Sequence, residues 1–229
     1  SSSTTRTRAV IVVHLAGIPC DMAPIMQLAK DRGLVVIEDC AQAHGGRYRG
    51  GMLGSLGHCS AFSFCQDKIM TTGGEGGLFL TDDEDVWRRA WAYKDHGKSW
   101  ATVHEAKHPP GFRWLHESFG TNWRMTEMQA AIGRRQLVKL DGWIRRRTRN
   151  AAFLEAGLKG IPGIVTVAMP DWAEPAYYKY YVFVDPTKLL EGWDRTRIVD
   201  SIAAEGVPCF VGSCGEIYRE KAFSQASLG

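Results

Sequence analysis

The chain has 229 residues, of which 45% are hydrophobic and 23% are charged, and its formal net charge is +3 at pH 7. A chain of this length can bury roughly 70% of its unfolded surface, enough for one large domain or two small ones. The small net charge does not favour nucleic acid or an anionic membrane as a partner, because both require a concentrated basic face. The arginine-rich run at 145–149 lies within a helical pattern, and we interpret it as the solvated face of that helix.

The six cysteines show neither the two-residue spacing nor the companion histidines of a zinc-binding motif, so we predict no metal site. The first residues do not have the pattern of a signal peptide, and no apolar run is long enough to predict a membrane span. The cysteines are most simply interpreted as reduced thiols. These features together predict a cytoplasmic protein.

A strand, a helix and a second strand are predicted at the start of the chain. An apolar run predicts a buried strand at 9–14, and helical periodicity predicts a helix at 21–32 that Asp21 caps and Gly33 ends. Branched apolar residues at 34–37 predict the second buried strand. This order implies a right-handed crossover within a parallel sheet.

Two adjacent carboxylates, Glu38 and Asp39, follow the second strand. Open α/β sheets bind their ligands at the carboxyl ends of their strands, so at least one of these side chains should face such a crevice. The residues by themselves leave open the alternative that the pair only begins a solvated loop or caps a helix.

The most informative stretch centres on one lysine, Lys68. The apolar run 61–64 predicts a buried strand, and the polar pair 66–67 ends that strand just before the lysine. Four glycines within 73–77 leave little side-chain bulk, so the backbone can approach a bound group closely. A lysine that forms a Schiff base and an aspartate that contacts a pyridinium nitrogen are the two protein groups that pyridoxal phosphate most needs.

Five motifs follow one another in a fixed order, at 12–17, 37–45, 54–57, 62–77 and 122–131. Together they resemble the sugar aminotransferase family of fold-type I pyridoxal phosphate enzymes, the DegT/StrS-like proteins. The resemblance covers residues 10–140 well and residues 178–225 more loosely.

The resemblance implies an α/β fold, with a mostly parallel sheet flanked by helices. Residues 1–158 would form an incomplete large domain that ends in a long linking helix, and 159–229 would form part of a smaller C-terminal α/β domain. The implied function is transfer of an amino group, with glutamate as the donor, to a keto group on a nucleotide-linked deoxysugar. A homodimer with shared active sites is the implied assembly.

The same resemblance implies roles for three residues around the cofactor ring. Lys68 would hold pyridoxal phosphate as a Schiff base and then move the proton between the donor's Cα and the cofactor. Asp39 would pair with the ring nitrogen and keep it protonated. Gln42 would lie near the ring and its phenolic oxygen.

Three further residues are implied at the phosphate groups. Ser63 matches a serine that donates to the cofactor phosphate, and Asn122 matches an asparagine that reaches the phosphate bound by the neighbouring subunit. Arg124 is a candidate for the substrate's diphosphate, together with basic residues in the stretch 94–113. The surrounding stretch 94–119 has no clean period and is interpreted as a long functional loop near the substrate entrance.

The remaining pattern predicts further helices and strands. Helices are predicted at 82–93, 126–158 and 194–206, and strands at 78–81, 164–167, 178–184 and 207–211. The loop at 212–218 departs from the proline- and histidine-bearing pattern of the family, which leaves the substrate's identity open.

Family members carry, ahead of the first strand, a turn that cups the cofactor phosphate and an aromatic residue that stacks on the ring. We find neither in this sequence, and therefore expect an internal fragment that also lacks the extreme C-terminus. We expect this polypeptide alone to bind pyridoxal phosphate weakly or not at all, and its full-length parent to bind the cofactor and to transaminate. Two other functions stay open. One is the family's dehydratase branch, against which Lys68 argues, and the other is a non-catalytic or truncated member that acts as a binding or regulatory protein.

Overall fold

The computed structural model describes residues 4–107, 110–111, 113–212 and 217–225. Within these residues the strands are β1 (Ala9–Val13), β2 (Val35–Asp39), β3 (Arg47–Tyr48), β4 (Gly51–Met52), β5 (Cys59–Ser63), β6 (Gly77–Thr81), β7 (Ile164–Thr166), β8 (Ala173–Glu174) and β9 (Val182–Val184). The helices are α1 (Met22–Arg32), α2 (Glu84–Lys94), α3 (Trp100–His104), α4 (Glu127–Leu137), α5 (Leu140–Leu158), α6 (Arg195–Ala204) and α7 (Lys221–Gln225). Most of the loop at 212–218 lies outside the described residues.

A four-stranded sheet in the order β1-β2-β5-β6 forms the framework of the site. β2 lies parallel to both β1 and β5, and β6 is antiparallel to β5. The mostly parallel, helix-flanked α/β fold predicted from the sequence is therefore confirmed. Val13, Asp39 and Ala61 are paired across the three parallel strands, so the carboxyl ends of those strands meet at one edge of the sheet.

Helix α1 covers one face of this sheet because its apolar residues recur on one side. Met22 and Ala29 of the helix pack in one buried cluster with Val12 and Val36 of the strands. Gly33 ends the helix in a left-handed conformation, as its lack of a Cβ allows. The predicted side-chain cap is wrong, because the Asp21 carboxylate accepts a hydrogen bond from the Tyr48 hydroxyl at 2.6 Å and makes no capping bond.

The long helix predicted at 126–158 is divided into α4 and α5. Thr126 opens α4 with the reciprocal hydrogen bonds of a capping box to Gln129, as the sequence predicts. The helix stops at Leu137, and the Lys139 N–H then donates to Gln136 O in a tight turn before α5 begins. Helical periodicity continues across this turn, which is why the sequence pattern does not reveal it.

Part of the stretch interpreted as a loop at 94–119 is helical. Ser99 caps α3 by accepting a hydrogen bond from the Thr102 N–H. The Trp100 ring packs edge-on against Trp87 and Trp91 of α2, each at a centroid distance of 5.1 Å. This aromatic packing joins α3 to α2 and stabilises a helix too short to stand alone.

Two strands predicted in the C-terminal part are shortened or missing. The strand predicted at 178–184 is reduced to β9, because the N–H groups of Ala176 and Tyr178 donate to Gly17 O and Ala16 O instead of to a neighbouring strand. No strand forms at 207–211, which belongs to the described part of the chain. In the segment around Tyr178, hydrogen bonding to residues 16 and 17 overrides the β propensity.

The described residues form two compact units. The first takes the residues up to Leu154 together with Ala168–Tyr180, and the second takes Glu155–Val167 and the residues from Tyr181 onward. The domain boundary predicted at residue 158 stays a prediction. Of the helices that the structure describes, none combines the length and the apolar character needed to cross a bilayer.

Candidate active site

The two adjacent carboxylates at the end of β2 have different environments because successive strand residues point to opposite faces. Glu38 is fully buried, and its side chain accepts hydrogen bonds from His14 Nε2 (3.0 Å) and from the backbone N–H groups of Gly54 (2.9 Å), Leu56 (2.8 Å) and Gly57 (2.6 Å). Burial alone would raise the pKa of Glu38, but these donors lower it below its ordinary value. Glu38 therefore holds the 54–57 turn against the sheet.

A possible trio of metal ligands, His14, Glu38 and Cys40, surrounds this carboxylate, with ligand atoms within 4.8 Å of one another. The oxygens of Glu38 already accept four hydrogen bonds. Burial raises the pKa of the Cys40 thiol, which keeps the sulfur protonated and a poor ligand. The trio thus belongs to the hydrogen-bonded core beneath the site.

Asp39 and Ser63 lie at the carboxyl ends of the neighbouring strands β2 and β5. Asp39 pairs with Ala61, and Ser63 is two residues further along β5, so both side chains emerge on the same face. Asp39 Oδ1 accepts from the Ala41 N–H (3.0 Å), and Ser63 Oγ accepts from the Cys65 N–H (3.3 Å). These bonds orient both groups and leave one carboxylate oxygen and one hydroxyl hydrogen for a ligand.

Lys68 lies beyond the end of β5, and its side chain is only 15% exposed. The Nζ atom is 3.3 Å from Asp67 Oδ1 and 5.0 Å from the centre of the Tyr178 ring. Burial lowers the pKa of Lys68, but the Asp67 carboxylate and Tyr178 raise it by more, so the net shift is upward. The amine is thus held as an ammonium between an anion and an aromatic face.

Tyr178 is buried and joins residues that are far apart in the sequence. Its hydroxyl donates to Asp67 Oδ2 at 2.5 Å, and its backbone N–H donates to Ala16 O at 2.8 Å. The neighbouring Ala16 N–H donates to Gln42 Oε1 at 2.6 Å. Lys68 and Gln42 are therefore connected through Tyr178, a residue for which the sequence pattern provides no functional signal.

Arg147 fixes the position of the Tyr178 segment. It is half-buried, and its Nη1 donates to Tyr177 O (2.9 Å) and to Tyr178 O (3.4 Å). The interpretation of the run 145–149 as a solvated face is therefore wrong for this arginine. The charge pattern does not distinguish a helix residue that faces solvent from one that binds carbonyl groups across the fold.

We expect Tyr178→Phe to raise the pKa of Asp67. The Tyr178 hydroxyl is the main reason why the pKa of Asp67 falls from 3.8 to about 2, so its removal should return the value towards 3.8. The measurement is an NMR titration of the Asp67 carboxyl carbon. Tyr48→Phe is the matched control, because Tyr48 donates in the same way to a different carboxylate, Asp21. An unchanged Asp67 titration in Tyr178→Phe would contradict the contact.

His44 is a second buried group that the sequence does not single out. Its ring lies 5.4 Å from the ring of Phe62 and 5.7 Å from that of Phe64. Neither ring nitrogen has a hydrogen-bond partner among the described residues. Burial, reinforced by the charge of Lys68, lowers the pKa of His44 to about 4, so the ring is neutral near pH 7.

Asn122 and Arg124 form a separate cluster. Arg124 Nε donates to Asn122 Oδ1 at 3.1 Å and is 3.4 Å from Asp95 Oδ1. Both side chains have substantial exposure, whereas Asp95 is buried. The contacts found for Asn122 and Arg124 therefore lie within this cluster and not beside Lys68.

The site thus combines a half-buried primary amine, a carboxylate and a hydroxyl at the ends of neighbouring strands. A model of the DegT/DnrJ/EryC1/StrS aminotransferase family matches residues 2–227. The chain belongs to this family. The resemblance drawn from the sequence motifs is confirmed.

Similar proteins of this family act on nucleotide-linked sugars according to their names. The dTDP-3-amino-3,4,6-trideoxy-alpha-D-glucose transaminase of Streptomyces venezuelae is 37% identical over 234 residues, which cover 98% of this chain and 58% of that protein. The GDP-perosamine synthase of Escherichia coli O157:H7 is 40% identical over 194 residues, covering 85% of this chain and 49% of that protein. The chain therefore spans about half of the length of these relatives.

The fold is shared with solved structures of the family. The aminotransferase from Psychrobacter cryohalolentis superposes with a TM-score of 0.91 at 53% sequence identity, over 97% of this chain and 58% of that protein. This family member therefore shares the fold of nearly the whole of this chain.

Proposed function

We propose that this chain, as part of its natural-length protein, binds pyridoxal phosphate and takes part in transferring an amino group from glutamate to a keto group on a nucleotide-linked deoxysugar. The observation that carries the proposal is the position of Lys68. The chain is a member of an aminotransferase family. Lys68 is largely shielded from solvent and follows β5, which pairs with β2, and β2 ends in Asp39. This is the pair of groups that the cofactor requires.

The chemistry of the donor set supports this cofactor. The side-chain carbonyl oxygen of Gln42 accepts a hydrogen bond from the Ala16 N–H, which leaves the amide NH2 group to donate to a phenolic oxygen. Asp39 retains an oxygen for a protonated ring nitrogen, and Ser63 retains a hydroxyl hydrogen for a phosphate oxygen. The three residues therefore offer an acceptor and two donors of the kinds that the three polar parts of the cofactor need.

When bound, pyridoxal phosphate supplies an aldehyde that accepts the donor's amino group and a ring that withdraws electrons. Lys68 Nζ must lose a proton before it can act as a base, so the ion pair with Asp67 has to be loosened first. Once neutral, Nζ would take the proton from the donor's Cα and deliver it to the cofactor's aldehyde carbon. Before the exchange, Asp67 and the Tyr178 ring hold the amine in place.

The assembly and the location are part of the proposal. Asn122 would reach the phosphate held by a second copy of the chain, which requires a homodimer with shared active sites. The five cysteines within the described residues are all free thiols, which supports a reducing compartment and hence the cytoplasm. The relatives' names support a dTDP-, GDP- or UDP-linked sugar as the amino acceptor.

The proposal is tested on the natural-length protein loaded with pyridoxal phosphate. Glutamate should remove the visible absorbance of the lysine-bound cofactor and release one equivalent of 2-oxoglutarate. A nucleotide-linked keto-deoxysugar should then restore the absorbance and yield an amino sugar. Absorbance that no amino acid removes would favour a binding protein, and loss of a sugar hydroxyl without amination would favour a dehydratase.

A further inference from the structure

Asn122 lies on a stretch of chain that pairs with the segment after α2. The Thr121 N–H donates to Tyr93 O at 2.7 Å, and Asn122 itself forms an antiparallel bridge with Asp95. The Asn122 side chain is exposed, while the Asp95 side chain is only 10% exposed. A surface amide is therefore placed next to a buried carboxylate by backbone pairing.

The contact with Arg124 fixes the orientation of the Asn122 amide. A guanidinium carries only donors, so the atom of Asn122 that faces Arg124 Nε at 3.1 Å must be the carbonyl oxygen, Oδ1. The NH2 group, on the opposite side of the amide, then points away from Arg124. Asn122 therefore presents two N–H donors to whatever binds at this surface.

Asp95 holds Arg124 in the position that orients the amide. Its Oδ1 atom lies 3.4 Å from Arg124 Nε and 3.3 Å from Lys98 Nζ. Burial raises the pKa of Asp95, but Lys98 and Arg124 lower it by more, so the carboxylate is charged. Two cations surround one anion, which leaves a local positive potential that favours an anionic ligand.

We propose that Asp95 and Arg124 are positioning residues. Asp95 anchors the Arg124 guanidinium, and Arg124 turns the Asn122 NH2 group towards a phosphate oxygen. In this arrangement Arg124 acts through Asn122 and is not a ligand of the sugar's diphosphate. The choice of a phosphate as the ligand rests on the proposed function, whereas the contacts among Asn122, Arg124 and Asp95 do not.

The direct probe is inorganic phosphate, followed through the side-chain amide NH2 signals of Asn122 in nitrogen–proton NMR spectra. Phosphate should shift these signals, and chloride at matched ionic strength should not. Arg124→Lys keeps the charge but loses the Nε geometry, and it should weaken phosphate binding at Asn122 by roughly tenfold, as should Asp95→Asn. Arg88→Lys is the matched control and should change nothing, because Arg88 pairs with Glu84 and Glu105 instead.

The Asn122→Asp variant tests the oxygen and the NH2 group of the amide separately. The variant keeps an oxygen for Arg124 but replaces the outward NH2 donor with a second oxygen, so it should bind pyridoxal phosphate at least roughly tenfold more weakly and bind unphosphorylated pyridoxal as before. Arg124→Lys should show the same selective loss, with the KM for the nucleotide sugar unchanged.

Three results would overturn the proposal. The first is that the wild-type Asn122 amide signals do not respond to phosphate, and the second is that Arg124→Lys leaves this response unaltered. The third is that Arg124→Lys raises the KM for the nucleotide sugar while binding pyridoxal phosphate and unphosphorylated pyridoxal with equal affinity. If the wild type binds inorganic phosphate at Asn122 and Arg124→Lys weakens that binding, but the protein develops no absorbance with pyridoxal phosphate, the proposed function fails and the positioning role is supported.

Discussion

Replacing Lys68 with alanine is expected to eliminate the visible absorbance of the bound cofactor and to lower transamination by more than about 10³-fold. The loss is large because the same amine would both attach the cofactor and transfer the proton at the donor's Cα. Borohydride reduction followed by intact-mass measurement checks the attachment, since the mass of the reduced adduct should appear in the wild type and be absent from Lys68→Ala.

Lys179→Ala is the control for this experiment. Lys179 lies over the same Tyr178 ring, at 4.9 Å from its centre compared with 5.0 Å for Lys68, so its removal also takes a positive charge from that ring. It should leave both the absorbance and the reducible adduct in place. If Lys68→Ala retains the adduct while Lys179→Ala loses it, the reactive amine is Lys179 and the assignment of Lys68 is wrong.

Replacing Glu38 with glutamine is expected to lower the free energy of unfolding by about 3 kcal/mol. The carboxylate is fully buried and accepts hydrogen bonds from His14 and three backbone N–H groups. A glutamine retains one acceptor oxygen and places an NH2 donor against these donors, so several of them lose their partner. Urea denaturation of the two proteins at pH 6 measures the difference.

The effect of Glu38→Gln should depend on pH in a defined direction. The pKa of Glu38 is lowered from its ordinary value of 4.5, so the charged form stabilises the fold above that pH, and this stabilisation is lost as the pH falls through the lower native pKa. The difference between wild type and variant should therefore be largest above about pH 5 and shrink on acidification. Glu84→Gln serves as the control, because Glu84 is exposed and pairs only at the surface. A difference that grows at low pH would contradict the buried, charged state of Glu38.

Local pattern is sufficient to predict the elements that carry the reactive groups. The apolar runs before Asp39 and before Lys68 correspond to β2 and β5, because a buried strand needs consecutive residues that exclude water. The same kind of pattern fails where hydrogen bonds are made outside a sheet, as in the strand predicted at 178–184 and shortened to β9. It also fails at 207–211, where no strand forms.

The sequence by itself determined the family, the βαβ order, the placement of Asp39 and Ser63 at strand ends and that of Lys68 shortly after one, since each depends on short runs of neighbouring residues. Only the tertiary structure decided that Glu38 is enclosed and that Tyr178 meets Asp67. Tyr178 and Asp67 lie far apart in the sequence and are brought together by tertiary folding. The periodicity of either segment carries no information about a contact with the other.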